Sequence, residues 1–374
     1  MYKKHNTLIK LTYFALAYGG LMIEKDKKWF PIWTGAQIFL LCTAMTSGLT
    51  ELFIGSREFH DIVGLLSSLI TCGFAITRLL RVMARRKEIR SVLDRLDILR
   101  LKMVKDEKNK HFLSYAENFG RKMSTMIFIL CNGFPIAACL FVIVTNFALD
   151  RKEKLLVHKI WMPWDHREAF LNVLSNISVT ILALPVLSVY AGIHLWEVTF
   201  TLYISAYAKT FQNNLISKGI KNRKIYEQHK FMIQIIKDHN EVLSAIKYWE
   251  AQISPLMPCG FGYSSLKALK RNEISIAIDY YVRAVLTLFP AFVHCCCGQQ
   301  IITQMEKLHR GTYMSKWYEE SSRIRKTFLT MMIRTTNPPS INYRLFVTFD
   351  HVLLSMILQT VYSYLMVMVN LDSE

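Results

Sequence analysis

Asp279 and Arg283 stand four residues apart in an otherwise apolar stretch. That spacing puts both on one face of a helix, where carboxylate and guanidinium can neutralise each other. Unpaired, either charge would be expensive inside a membrane. Arg78 and Arg81 end another apolar stretch, where long side chains can run back to a polar boundary. Near the C-terminus Thr348, Ser355, Gln359, Ser363 and Asn370 draw a polar trace through Leu, Met and Val. Such groups suit a helix that lines water and have little use against lipid. Asn176-Ile177-Ser178 fits the N-glycosylation pattern but lies in an apolar helical stretch, so it is expected to be bare.

None of these groups forms a catalytic constellation. The chain carries no glycine-rich phosphate loop, no His-Glu-x-x-His and no nucleophile elbow, so neither enzymatic activity nor a cofactor is expected. The eight cysteines (Cys42, Cys72, Cys131, Cys139, Cys259, Cys295, Cys296 and Cys297) all fall in apolar segments, which argues against a disulfide framework. The run Cys295–Cys297 lacks the spacing of a zinc site and reads as small, polarizable packing residues, so no metal is expected.

The elements that must position these groups follow from composition. Hydrophobic residues make up 52% of the 374 and charged residues only 20%, yet the formal charge is +18. The basic residues are therefore concentrated outside the apolar runs, the pattern of a polytopic membrane protein. A nucleic-acid-binding protein, the competing reading of so basic a chain, is excluded by repeated apolar runs of membrane-crossing length with no binding module between them. The N-terminal stretch 8–23 is broken by Lys10, Tyr13, Tyr18, Gly19 and Gly20 and lacks a small-residue cleavage site, so no cleavable signal peptide is read.

A hydrocarbon core about 30 Å thick needs roughly 20 helical residues. Seven segments qualify: 31–54, 59–82, 124–148, 170–212, 248–269, 274–303 and 345–370. The fifth is interrupted by Pro255, Pro258, Gly260 and Gly262, which neighbouring helices in a bundle can accommodate. Lys and Arg crowd the N-terminus and the connections 85–122, 209–247 and 307–334, whereas the opposite side is poor in them and ends in an acidic tail. The basic side is read as cytoplasmic. The expectation is an all-α polytopic membrane protein of seven transmembrane helices with the N-terminus inside and the C-terminus outside. That is inverted relative to G-protein-coupled receptors, and Ile341 stands where the Tyr of their Asn-Pro-x-x-Tyr pattern would be.

The chain thus divides into a cytoplasmic N-terminal segment 1–30, spans one to four in 31–212 with an outer loop 149–169, a cytoplasmic connection 213–247, spans five and six in 248–303, a cytoplasmic connection with an amphipathic helix in 304–344, and the last span with an outer C-terminus in 345–374. The fourth segment is about 65 Å long as a helix, twice the hydrocarbon thickness, and is expected to project into the cytoplasm. Ile89, Leu93, Leu96, Leu99 and Met103 lie near one helical face, as do Met232, Ile236, Leu243, Ile246 and Trp249. These faces either lie on the membrane surface or pack locally, or they form a shared cytoplasmic anchor where subunits meet.

The last hundred residues carry a family signal. Cys297-Gly298-Gln299, then Leu308, Tyr313 and Trp317, the amphipathic stretch 325–335, Asn337-Pro338-Pro339, and a last span ending Val361-Tyr362-Ser363-Tyr364-Leu365-Met366-Val367-Met368-Val369-Asn370 resemble the insect odorant receptor family. Met162-Pro163-Trp164 resembles its second outer loop, and Thr336-Asn337 departs from its usual Gln-Lys or Gln-Arg. Insect gustatory receptors share the architecture but usually end with a Thr-Tyr-five-residues-Gln-Phe pattern, absent here. The conserved odorant co-receptor carries a long cytoplasmic insertion for which 210–247 has no room, so the resemblance is to a ligand-tuning subunit.

That resemblance implies a ligand-gated, non-selective cation channel in the plasma membrane of olfactory neurons, in dendrites, assembled as a heterotetramer with co-receptor subunits. It implies a small volatile ligand, permeating cations and membrane lipid as partners, and no nucleic acid. Val367 would be the hydrophobic constriction, with Asn370 and Leu371 at the outer filter. The ligand would sit in the outer half of the bundle among Leu66, Ile70 and Phe74; Ala137, Phe141 and Val144; Ile177, Thr180 and Ile181; and Tyr281, Val285 and Leu288. Thr180 and Tyr281 are the expected hydrogen-bond donors. A gustatory channel, or more distantly a membrane transporter, is the alternative.

Overall fold

The computed structural model describes residues 7–21, 30–54, 59–148, 156–157, 160–165, 168–218, 224–246, 256–272, 274–315, 317–336, 342–343 and 347–371. Among these the fold is helical: α1 Thr7–Tyr18, α2 Phe30–Ile54, α3 Phe59–Ala84, α4 Arg86–Val104, α5 Lys110–Ala148, α6 Ala169–Lys218, α7 Lys224–Ile246, α8 Leu256–Lys270, α9 Ile274–Met314, α10 Ser322–Thr336 and α11 His351–Leu371. A minimal antiparallel ladder, β1 Asn342–Tyr343 and β2 Val347–Thr348, pairs Asn342 with Thr348 and Tyr343 with Val347.

Six of these helices, α2, α3, α5, α6, α9 and α11, are long and apolar enough to cross a membrane. The expected fifth span corresponds to α8, whose 15 residues rise about 22 Å and fall short of the hydrocarbon thickness. The first part of that expected span, 248–255, lies outside the described residues. α8 packs between α3, α9 and α11. Gly260 allows the approach to α3, since a Cβ there would meet the Ser67 Oγ at 2.1 Å.

The spine is α6. At 50 residues it rises about 75 Å, and from Ser188 to Phe211 it is buried almost all round, with Trp196, Phe200 and Tyr203 among the largest enclosed side chains. A helix apolar on every face has to be surrounded, and α1, α4, α5 and α9 pack against it. α1, expected as part of an N-terminal cytoplasmic segment, fits into this shell. Its Thr12 hydroxyl lies 2.7 Å from that of Thr199 on α6. Its end is closed by Gly20 at φ +74° with Leu21 N donating to Leu16 O, the six-to-one bond of a Schellman cap.

The two amphipathic faces seen in the sequence pack inside this chain. Ile89, Leu93, Leu96, Leu99 and Met103 of α4 are all buried, as are Met232 and Ile236 of α7, against one core that includes Tyr207 and Phe211 of α6. The side chains of Leu243 and Ile246, and Trp249 altogether, lie outside the described residues. Arg100 of α4 reaches Glu117 of α5 at 3.0 Å, and Asn109, Asn213, Asn214 and Asp106 share side-chain hydrogen bonds that tie the α4–α5 link to the far end of α6. α11 starts at His351 instead of Leu345 because Asp350 caps it: its carboxylate accepts from Leu353 N at 2.8 Å.

Candidate ligand chambers and pore helix

α3, α5, α6 and α9 diverge enough to leave two adjoining chambers. The loop-side chamber, ≈ 160 Å³, is walled by Leu65, Leu69 and Cys72 of α3, Phe134, Pro135 and Ala138 of α5, Val179 to Leu187 on one face of α6, and Leu286 of α9, with Val157 and Ile160 of the α5–α6 loop at its edge. The second, ≈ 170 Å³, includes Phe74 and Arg78 of α3, Tyr190 and His194 of α6, His294 of α9, and Phe349, Leu353 and Ile357 at the start of α11. Thr71, Leu187, Leu286 and Thr287 line both, so the chambers meet there. Prolines stand in the walls: Pro135 in α5 and Pro290 in α9. Each removes the regular donor to the carbonyl four residues earlier, Cys131 and Leu286, both of which face the second chamber.

The polar groups of the loop-side chamber are mostly hydroxyls already committed as donors. Ser68 donates to Gly64 O, Thr71 to Ser67 O, Thr180 to Asn176 O and Thr287 to Ala284 O, at 2.8–3.0 Å. With the single proton used, each hydroxyl presents lone pairs to the cavity. Thr180 therefore offers an acceptor, and the donor role expected for it is already taken by its own helix. Arg283 supplies cationic character at the rim: its Nε donates to Asp279 Oδ2 at 2.7 Å and its Nη2 to Val157 O at 2.9 Å, clamping α9 to the α5–α6 loop.

Of the twelve positions expected around a ligand, Thr180 lines the loop-side chamber and Phe74 the second. Leu66, Ala137, Phe141, Val144, Ile177, Ile181, Tyr281 and Val285 turn outward and are exposed, while Ile70 and Leu288 are half-buried outside both linings. The chambers lie among the helices that carry the expected positions, but most of the side chains facing them are offset from those positions by about one residue, roughly 100°. Leu65, Leu69, Ala138, Leu182, Leu286 and Thr287 line the chamber at positions directly beside those expected, and Phe134 and Ala183 line it close by on the same helices.

α11 has no buried residue in its apolar window. Its contact side is the half-buried set Leu353, Ile357, Val361, Leu365 and Met368. Ser355, Gln359, Ser363, Val367 and Asn370 are all exposed on the opposite side, a stripe about 120° wide at 100° per residue. Four of the five polar residues of the expected trace share that stripe. The fifth, Thr348, belongs to β2. Leu371 is the last residue of the helix, and its side chain lies outside the described set.

A cluster unforeseen in the sequence borders the second chamber. His294 Nδ1 of α9 bonds Glu197 Oε2 of α6, and His194 Nδ1 lies 3.7 Å from the same oxygen. All three side chains are buried. Nearby, the Arg78 guanidinium sits 3.9 Å over the Tyr190 ring. Glu197 was the available signal, an acid in the middle of a long apolar run. Its partner on α9 is nearly a hundred residues away and could not be read from spacing.

Comparison with known proteins agrees with this architecture. A family model described as 7tm Odorant receptor matches residues 58–362. The chain is 20% identical to putative odorant receptor 85d of Drosophila melanogaster, across 96% of this chain and 92% of that one. Its fold is similar to that of the insect olfactory receptor OR5 from Machilis hrabei, solved in complex with eugenol, with a TM-score of 0.78, 15% identity and 97% of each chain covered. A second structure of OR5 gives a TM-score of 0.75 at 14% identity, covering 97% of this chain and 99% of that one. With apolar helices of membrane-crossing length and a family match that spans most of its residues, the chain is a multi-pass membrane protein and belongs to the 7tm odorant receptor family.

Proposed function

We propose that the chain is the odorant-tuning subunit of a ligand-gated, non-selective cation channel, with no enzymatic activity, and that it works in a heterotetramer with odorant co-receptor subunits. One observation carries the reading: Phe349, Leu353 and Ile357, which lead into and begin α11, form part of the wall of the second chamber. A molecule held in the chambers presses directly on the helix whose far side carries the exposed stripe ending at Val367 and Asn370. Assembly of subunits around that stripe makes Val367 an apolar ring that gates by dewetting and Asn370 with Leu371 a narrow, hydrated outlet.

The chamber volumes support a small ligand. Each is close to the roughly 150 Å³ that accommodates benzene in an apolar cavity. A volatile of about one ring, or a short chain running through both chambers, fits. The committed hydroxyls favour a ligand that donates a hydrogen bond to Thr180 or Thr287 over one that only accepts. That a receptor of similar fold was solved with eugenol supports a small-molecule ligand here. The N-terminus and the basic connections lie in the cytoplasm in this reading, supported by the positive-inside distribution of Lys and Arg.

The test is whole-cell current in a heterologous cell expressing the chain with and without the co-receptor, challenged with volatile alcohols, phenols, esters and terpenes. A cation current that requires both subunits and follows one ligand class is expected. Current from this chain alone would replace the tuning-subunit reading with a self-sufficient channel. Silence across the panel from protein at the cell surface would sink it.

A further inference from the structure

We infer that His194, Glu197 and His294 form a binding site for a divalent transition-metal ion, zinc being the best match, with its open coordination position facing the second chamber. His194 and Glu197 are one helical turn apart on α6, and His294 approaches from α9. One donor atom from each lies within 4.8 Å of the others. Tetrahedral zinc with bonds of about 2.0–2.2 Å holds its donors roughly 3.3–3.5 Å apart, between the close His294–Glu197 contact, which would widen, and the 4.8 Å limit of the cluster.

Two imidazoles and one carboxylate are the donor set of zinc sites that keep a fourth position open. His194 and His294 both line the second chamber, so that position points into its space. The electrostatics favour an ion. A carboxylate enclosed among apolar side chains needs positive charge beside it, and a dication supplies it while leaving both rings neutral. Arg78, the charged side chain that lines this chamber, is held over the Tyr190 ring. Access is from the polar side of the membrane: His194 lies about 37 Å along α6 and His294 about 30 Å along α9 from their loop-side ends, at the far boundary of a hydrocarbon core about 30 Å thick. A bound ion would pin α6 to α9 beside Phe349, which packs on the His294 ring at 5.8 Å between centroids.

The site is tested by metal binding to the purified full-length chain, independently of any ligand or current. After chelator treatment and dialysis against Zn²⁺ alone, the unaltered chain is expected to retain one tightly held zinc. X-ray absorption should show only nitrogen and oxygen neighbours at about 2.0–2.2 Å. Purified H194Q/H294Q should lose that zinc, with affinity falling by more than the roughly 10–100-fold that loss of an outer-sphere partner costs; H309Q should keep it. Failure of the unaltered chain to retain zinc, full retention in the double variant, or sulfur neighbours at about 2.3 Å would each overturn the assignment. The absorption measurement needs no variant and decides the matter even where the double variant does not fold.

Discussion

A Cβ placed on Gly298 would lie 1.9 Å from the carbonyl oxygen of Phe349 and 3.0 Å from its Cβ. The backbone of α9 thus runs directly against the segment that leads into α11, and only glycine allows the contact. Gln299 adds its Oε1 as acceptor for His351 N at 3.4 Å. Because the clashing atom is backbone, it cannot rotate away as a side chain could. Gly298→Ala is expected to push Phe349 off α9, costing about 1–3 kcal/mol of stability and altering basal or evoked current. A variant with the same melting temperature and the same currents would show that the contact is looser than described.

Arg283 and Asp279 form a part-buried pair whose second anchor is the Val157 carbonyl. Removing one charge leaves the other uncompensated, whereas removing both leaves neither. Arg283→Leu is expected to cost about 3–5 kcal/mol, and Asp279→Leu with Arg283→Leu much less. Thermal unfolding of the purified single and double variants measures this. Equal destabilisation in both would mean that the bond to the α5–α6 loop, not charge compensation, dominates.

The face of α6 that meets ligand can be settled by adjacent substitutions. Ala183 lines the loop-side chamber, while Ile181 is 47% exposed and points outward. Ala183→Phe should raise the half-maximal ligand concentration about tenfold or more, a loss of ~1.4 kcal/mol, with surface expression retained. Ile181→Phe should leave it within about twofold, or a few tenths of a kcal/mol. The opposite outcome would restore the outward-facing positions as the ligand surface.

Asn176 fits a glycosylation pattern but is buried, its Oδ1 accepting from Val157 N at 2.7 Å and its Nδ2 donating to Asn172 O at 3.0 Å. No glycan can reach it. Endoglycosidase treatment should leave the electrophoretic mobility of the chain unchanged wherever Asn176→Gln also does.

The helices were legible because the energy of a span lies in total apolarity, which needs no partner to be read. Residues 30–54 fold as the apolar run at 31–54 predicts, and α6 overruns the membrane as its length requires. The inward face was not legible. Lipid is as apolar as a protein interior, so outward-facing Phe141 and Ile181 look no different in sequence from inward-facing Phe134 and Leu182. Contrast is stronger where polar residues alternate with apolar ones: the amphipathic stripes of α4 and α7 stood out in sequence, though not what would cover them, and Ile89, Leu93, Leu96, Leu99, Met103, Met232 and Ile236 are buried within the chain. α1 was missed as a packed element because its 12 residues are too short to suggest a span. Its place depends on Thr199 and Gly192 of α6, which approach from far along the chain.

The gate assignment rests on the face of α11 that this subunit leaves uncovered. Val367 is 54% exposed and falls on the same stripe as Ser355, Gln359, Ser363 and Asn370, opposite the side that packs on α8 and α9. Val367 shares that side with the exposed Met356 and Met366 as well as the polar residues, and an apolar ring there would exclude water locally, as a dewetting constriction requires. Val367→Ser should wet the ring and raise current in the absence of ligand; Val367→Trp should block it or change it strongly at equal surface expression. A lipid-facing Val367 predicts the reverse for the first variant: exposing a hydroxyl to lipid would lower expression and leave the unliganded current unchanged. Patch-clamp recording of both variants with the co-receptor, normalised to surface labelling, separates a pore-lining position from a lipid-facing one.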